Sequence, residues 1–329
     1  MISAFRNYNP INIFWLAILL VILRVCYLYN APANTELVLV ESFARSLVPG
    51  NNINTTSLPV SVLIAGVIVF IQALLINYVV NLYNLFGKSS FLPALMYVTV
   101  SGLFTPFLTL SQPLICNFLV IWMIYKLLSF YKNQDIKSNA YDLGMIVGLG
   151  SIFYLPFIYF FLVIWVALII FRPFDWRDWA ASIMGYVTVF FFLAVYDYLT
   201  DHIHDFYKIW LPLGTAFPGS IKILNYYNYL LLIPVIIILI LCFFRLRSNF
   251  FKSYVLVRKS FQLFFFTFII AGLAFYVKAD FRLNHFLLCA IPVAIFFAYY
   301  FLYATSRWFY ETLYFLLFAG IIYFQFNTF

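Results

Sequence analysis

The chain has 329 residues, of which 66% are hydrophobic, 23% aromatic and only 9% charged, and its mean hydropathy is +1.00. Too few polar residues remain to cover a water-soluble globule, and the length leaves no room for a large domain outside a membrane. The formal charge of +8 comes from 19 Lys and Arg against 11 Asp and Glu; the basic residues sit in short connections between apolar runs, which is a topology signal and not a nucleic-acid footprint.

The pattern predicts an all-α, polytopic transmembrane bundle forming a single integral membrane domain over 1–329. Ten or eleven spans are expected near 11–30, 59–84, 91–110, 113–131, 141–154, 155–171, 179–200, 226–245, 260–279, 286–305 and 309–326. At the N-terminus, Arg6, an apolar run from Ile11 to Leu28 and Ala31-Pro32-Ala33 look like a cleavable signal peptide. The run is too long for one and reads as an uncleaved first span. Arg24 is a charge inside that span, so it needs a partner, water or a lipid phosphate. After the span, 31–58 forms an extracytoplasmic loop. Within it Leu37, Val38, Val40, Phe43 and Leu47 recur at helical spacing, so 34–48 is expected to be an amphipathic interfacial helix carrying Glu36, Glu41 and Arg45.

Between Asp142 and Phe171 the run breaks near Tyr154-Leu155-Pro156 and fits either one long tilted helix or two short ones. A cytoplasmic N-terminus requires two, and one would invert everything downstream. With a cytoplasmic N-terminus, Arg6, Lys88, Lys126, Lys132, Lys137, Arg172, Arg177, Arg245, Arg247, Lys252, Arg258, Lys259 and Arg307 all face inward. Arg45, Lys208, Lys222, Lys278 and Arg282 then face outward. The stretch 246–259, basic and free of acids, is expected as a cytoplasmic loop, and Phe171 to Trp179 as an interfacial anchor. The four cysteines lie in apolar runs without metal-ligand spacing and read as packing residues.

Candidate chemistry collects on the opposite face. The loop 201–225 opens with Asp201, His202, His204 and Asp205, donors that suit a divalent metal such as zinc or manganese if the backbone is extended there; a hydrogen-bonded helix end is the alternative. Lys278, Asp280, Arg282 and His285 form a second group, with Arg282 able to clamp a phosphate and His285 to carry a proton. The plain alternative is a polar loop with a snorkelling lysine.

This layout resembles the GT-C superfamily of membrane glycosyltransferases that use polyprenyl-phosphate-linked sugars. The likeness rests on the first span with its long loop, on Asp142-Leu-Gly-Met-Ile-Val-Gly-Leu-Gly150 to Pro156, and on the aromatic helix ending in Phe171-Arg172-Pro173-Phe174. The Arg-Pro-Phe-x-Trp-Arg segment is also similar to one in an uncharacterised family of bacterial multi-pass membrane proteins. No Asp-Asp or Glu-x-Asp pair follows the first span. The resemblance implies a bacterial inner-membrane enzyme that moves a sugar from a lipid carrier. In it Glu41, or secondarily Glu36, acts as base, Arg24, Arg45, Lys278 and Arg282 hold lipid phosphate, and a metal sits at Asp201 to Asp205. Two other classes fit the composition: a non-enzymatic subunit docked on a partner in an envelope or secretion complex, and a lipid or solute transporter. Membrane lipids are partners in every case; nucleic acid is not.

Overall fold

A computed structural model describes residues 1–29, 58–131, 136–172, 174–201, 226–277 and 283–326. Among these the structure is helical without strands. In chain order the helices are α1 (Ile2–Phe5), α2 (Ile11–Tyr29), α3 (Leu58–Leu82), α4 (Leu92–Val100), α5 (Gln112–Ser129), α6 (Ile136–Phe153), α7 (Phe160–Phe171), α8 (Trp176–Leu199), α9 (Leu232–Asn249), α10 (Val255–Leu273), α11 (Ala290–Tyr303) and α12 (Arg307–Phe326).

Among the described residues, eight helices, several extended by adjoining 3-10 turns, are long and apolar enough to cross a membrane. Three further segments also run from end to end. Residues 91–108 begin where Phe91 N donates to Phe5 O and finish at Leu108, beside Arg24. α6 starts beside Lys126, which pairs with Asp142 at 2.7 Å, and ends at Tyr154. The 3-10 turn Leu155–Tyr159 then leads α7 back to Phe171, whose carbonyl accepts from Lys259. The stretch 142–171 is therefore two helices folded against each other, with the total at the upper end of the expected number of spans.

Local sequence sets these breaks. Tyr154 is extended (φ −149°, ψ 105°), and Pro156 follows in the 3-10 turn, as a residue with no amide donor must. Residues 91–110 are not one helix: Ser101-Gly102 ends α4, and Thr105-Pro106 starts the 3-10 turn Thr105–Leu108. Asn84 and Gly87 take positive φ (48° and 67°) to turn α3 toward α4. Asp175 caps α8, accepting from Arg177 N at 3.0 Å.

α4 and α11 form the centre. Every residue of α4 is buried, as is α11 from Ala290 to Phe301. The outer helices present Leu63, Val67, Phe191, Phe192, Phe243, Phe244 and Phe315 outward, a surface that only lipid hydrocarbon satisfies. Phe174, Trp176, Tyr254 and Trp308 are exposed at the end that also carries Arg6, Arg245 and Arg247, where amphipathic rings suit a headgroup layer. The protein is a multi-pass α-helical membrane protein.

At that end the chain's start is gripped by its last helices. Arg6 donates through Nε (2.9 Å) and Nη2 (2.6 Å) to Phe301 O and through Nη2 to Ala304 O (2.7 Å), and lies 4.1 Å over the Tyr310 ring. These carbonyls close α11 and have no partner within the helix. Ser3 N donates to Glu311, which also pairs with the Met1 amine. Arg245 likewise caps α11 through Tyr303 O at 2.9 Å. Arg245 and Arg247 belong to the end of α9, Arg258 and Lys259 to the start of α10, and a 3-10 turn, Phe250–Lys252, joins them.

Candidate functional site

Every Lys and Arg among the described residues except Arg24 lies at the end just described. Arg24 sits in the opposite half of α2, five residues from its last residue, so roughly 7.5 Å below it at 1.5 Å per residue. It is only 6% exposed. Its Nη1 donates to the carbonyl of Leu108. Gly66 on α3 leaves the space beside it open: a Cβ there would stand 3.9 Å from Arg24 Nε and 3.4 Å from Leu20 Cδ2. Toward the nearer end, Tyr27, Val62 and Leu108 pack together with Leu28 and Leu58 to form an apolar lid.

Among the described residues the energetics of Arg24 are unbalanced. An ionised side chain within a span costs about 2.5–3.5 kcal/mol on insertion scales. One hydrogen bond from a charged donor returns about 1.5–3 kcal/mol, and a guanidinium has five N–H groups to satisfy. Among the described residues no carboxylate pairs with it; the ion pairs there are Met1–Glu311 and Lys126–Asp142.

Further toward the centre, a buried polar chain links α3, α4, α5 and the 3-10 turn Leu283–Cys289. Tyr97 Oη donates to Gln72 Oε1 at 2.7 Å, and Gln72 Nε2 donates to Leu114 O at 2.7 Å. Asn117 Nδ2 donates to Tyr97 Oη (3.1 Å) and to Leu287 O (3.0 Å). Asn117 Oδ1 has no acceptor role filled among the described residues. Thr99 and Tyr314 meet at 3.1 Å, tying α4 to α12. Such bonds hold helices together where the hydrophobic effect does not act between them.

His285 is buried where three segments meet. Nε2 lies 2.8 Å from Ala271 O and Nδ1 lies 2.8 Å from Tyr154 Oη. A carbonyl oxygen only accepts, so Nε2 carries the proton; Nδ1 then accepts from the tyrosine hydroxyl. In this tautomer the imidazole pins the α6–α7 break to α10. Asp201 stands exposed just past α8 in a left-handed conformation (φ 58°). The other residues singled out in the sequence, Glu36, Glu41, Arg45, His202, His204, Asp205, Lys278, Asp280 and Arg282, lie outside the described residues, as do the stretch 34–48 expected as an interfacial helix and the loop after Asp201. Within the described residues no three His, Cys, Asp or Glu side chains form a metal-binding group.

Arg24, Asp201 and His285 thus share one end of the bundle, the end away from the basic residues. Gln72, Tyr97, Asn117 and Arg6 carry structure that sequence reasoning passed over. The signal for Gln72 and Asn117 was present: an amide inside an apolar run of some twenty residues has to find a partner.

Residues 37–329 match the model of a family described as a family of unknown function, DUF6427. No curated protein and no solved structure matches the chain.

Proposed function

We propose that this chain, which belongs to DUF6427, is a membrane transferase of the GT-C type that moves a sugar from a polyprenyl-phosphate carrier at the end of the bundle opposite its basic residues. The observation that carries the reading is the charge layout: Arg24 is the single described cation in that half, with every other described Lys and Arg at the far end. In this reading the basic end faces the cytoplasm, as the positive-inside tendency favours, with the N-terminus inside and the candidate site outside a bacterial inner membrane. The hairpin of α6 and α7, with its break held by Tyr154 and His285, adds support, because the resemblance to the GT-C superfamily includes short paired helices at this point in the chain.

In this reading Glu41, with Glu36 second, accepts the proton of the acceptor hydroxyl as that oxygen attacks the anomeric carbon. The bond from that carbon to the carrier's phosphate oxygen breaks, and Arg282, Arg45 or Lys278 receives the departing phosphate. His285, engaged on both ring nitrogens, contributes by holding the α6–α7 break beside the site. A divalent ion at Asp201 to Asp205 is a further proposal, with His202 and His204 as its nitrogen donors.

The test is sugar transfer from a polyprenyl-phosphate donor by the protein in lipid nanodiscs, compared with Glu41→Gln and Arg282→Ala variants expressed at wild-type level. Loss of transfer in both variants with donor binding retained in the first is the expected result. Full transfer by both refutes the assignment. Absence of turnover together with co-purification of another membrane protein at fixed stoichiometry replaces it with the subunit reading.

A further inference from the structure

We propose that the turn between α9 and α10 binds the headgroup of an acidic phospholipid, of the phosphatidylglycerol class, in the leaflet at the basic end of the bundle. Arg245, Arg247, Lys252, Arg258 and Lys259 cluster there, and no Asp or Glu occurs anywhere from 206 to 279. Two of the five hold helix ends: Arg245 donates to Tyr303 O at 2.9 Å and Lys259 to Phe171 O at 3.4 Å. The side chains of the other three make no hydrogen bond or ion pair among the described residues, and their places do not serve their own helices. Arg258 stands in the first turn of α10, where the macrodipole disfavours a cation and where neither an acidic residue nor a side-chain cap offsets it. The residues four away from it are Tyr254 and Gln262, and those four away from Arg247 are Phe243 and Phe251, so neither arginine has an acid along its helix face. A topology signal needs only the number of these cations, not their positions.

The turn sits at headgroup depth. Arg247 is two residues from the end of α9 and Arg258 three residues into α10, so both lie within about 5 Å of the connection along the helix axes. Between them Phe251 is 88% exposed and Tyr254 78%. Rings that open belong against a membrane interface and not in water, and this favours a lipid over a soluble acidic protein as the occupant. Phe243 and Phe244, exposed on the last turns of α9, carry the apolar surface on into the hydrocarbon, where acyl chains lie. Arg258 is braced from one side: the centre of the Phe250 ring lies 5.5 Å from its Cζ, and Nε is sealed from solvent without an acceptor. Its two terminal nitrogens are left for an acceptor from outside, and Arg247 and Lys252 are exposed on the same turn. A phosphodiester brings the opposite charge and fits the guanidinium fork, whereas a zwitterionic headgroup adds a cation of its own to the patch. Binding of this kind needs no turnover, and it stands whether or not the chain transfers sugar.

The full chain in dodecyl maltoside micelles is titrated with dioleoyl phosphatidylglycerol, with dioleoyl phosphatidylcholine as the zwitterionic probe and glycerol phosphate as the soluble anion, and followed by native mass spectrometry and thermal unfolding. Phosphatidylglycerol is expected to bind saturably and at least about tenfold more tightly than phosphatidylcholine. Each of Arg247→Gln, Lys252→Gln and Arg258→Gln should weaken it about fivefold, and the triple variant about a hundredfold. Arg258→Lys, which keeps the charge and loses the fork, should also weaken it. Lys137→Gln and Arg177→Gln remove exposed cations elsewhere at the same end and should leave it unchanged. Equal binding of the two lipids overturns the proposal and leaves the patch to an acidic protein partner. Equal losses in Lys137→Gln and Arg177→Gln, or stabilisation by glycerol phosphate as strong as by the lipid, overturn it as well. Because the triple variant can fail to insert, a photoreactive phosphatidylglycerol is also cross-linked to the wild type in lipid nanodiscs. Adducts are expected within 243–262, and adducts confined to other segments overturn the proposal. Retained binding in Glu41→Gln separates this site from the transfer reaction.

Discussion

Replacing Gly144 with alanine adds a single methyl group where α6 crosses α8. The new Cβ would fall on the carbonyl oxygen of Ser182 and stand 2.9 Å from Tyr186 N and 3.0 Å from Ser182 C. Those contacts are about 0.5–1 Å short of the van der Waals optimum, and all are backbone, so no rotamer change relieves them. From the other helix, a Cβ at Gly185 would fall on Tyr141 O and lie 3.2 Å from Met145 N. Overpacking of this kind costs about 1–3 kcal/mol and alanine regains about 1 kcal/mol over glycine in helix propensity; with backbone on every side the cost falls in the upper part of that range, so each variant should lose up to about 2 kcal/mol. The double variant should lose less than the sum, because helices parted for one methyl are already parted for the other. Gly272→Ala is the control: among the described residues its Cβ meets only Cys289 Sγ, at 4.0 Å, and propensity alone predicts a gain. Reversible unfolding in mixed micelles titrated with dodecyl sulfate, followed by circular dichroism, measures all four. The reasoning fails if Gly144→Ala and Gly185→Ala unfold at the wild-type midpoint, or if Gly272→Ala loses as much as they do.

Four further outcomes are expected. Tyr154→Phe removes the donor to His285 Nδ1 and should destabilise by about 1 kcal/mol, with a Tyr154–His285 double-mutant cycle giving a coupling of about 0.5–3 kcal/mol by the same unfolding assay. Arg6→Lys should lower the thermal midpoint nearly as far as Arg6→Ala, because a lysine cannot reproduce the forked bonds to Phe301 O and Ala304 O; full rescue by lysine would show that charge alone matters. Tyr97→Phe leaves Gln72 Oε1 and Asn117 Nδ2 each short of a partner and should cost about 0.6–1.7 kcal/mol, the range of interhelical hydrogen bonds in membranes, measured by chemical unfolding. For orientation, cysteines introduced at Thr200 and Ser253 should react differently with an impermeant maleimide: Thr200→Cys in intact cells, Ser253→Cys only after permeabilisation. The reverse pattern inverts the topology.

The helices were legible because the dominant physics is one-dimensional. An apolar run of about twenty residues must span the bilayer as a helix, and the boundaries follow to within a few residues, as for 11–30 against Ile11–Tyr29 or 59–84 against Leu58–Leu82. The break at Tyr154–Pro156 was legible too, since charge on the flanking loops required an even number of passes. Where polar residues continue into a helix, hydropathy misplaced its start. α6 begins at Ile136 and not near 141, because Asp142 is matched by Lys126 on the neighbouring helix and can be carried inside. The split of 91–110 was written in Gly102 and Pro106 but hidden by the apolar residues around them. What could not be read was pairing. Gly144 marks a close approach, yet nothing in its own helix names Ser182 and Gly185 as the partners. Arg24 was recognisable as a costly charge, whereas its acceptor among the described residues, Leu108 O, is a backbone atom that no side-chain pattern announces.

The grip of Arg6 on α11 also bears on how the protein is made. Arg6 is bound by carbonyls 295 and 298 residues further along the chain. At a synthesis rate of about 5–20 residues per second, roughly 15–60 s separate the emergence of the clasp from that of its target. During that interval α1 and α2 can already pack on α3 and α4, while α11 and α12 are still unmade. The clasp is therefore a late closing event, and until α11 is made Arg6 lacks the carbonyls that satisfy it.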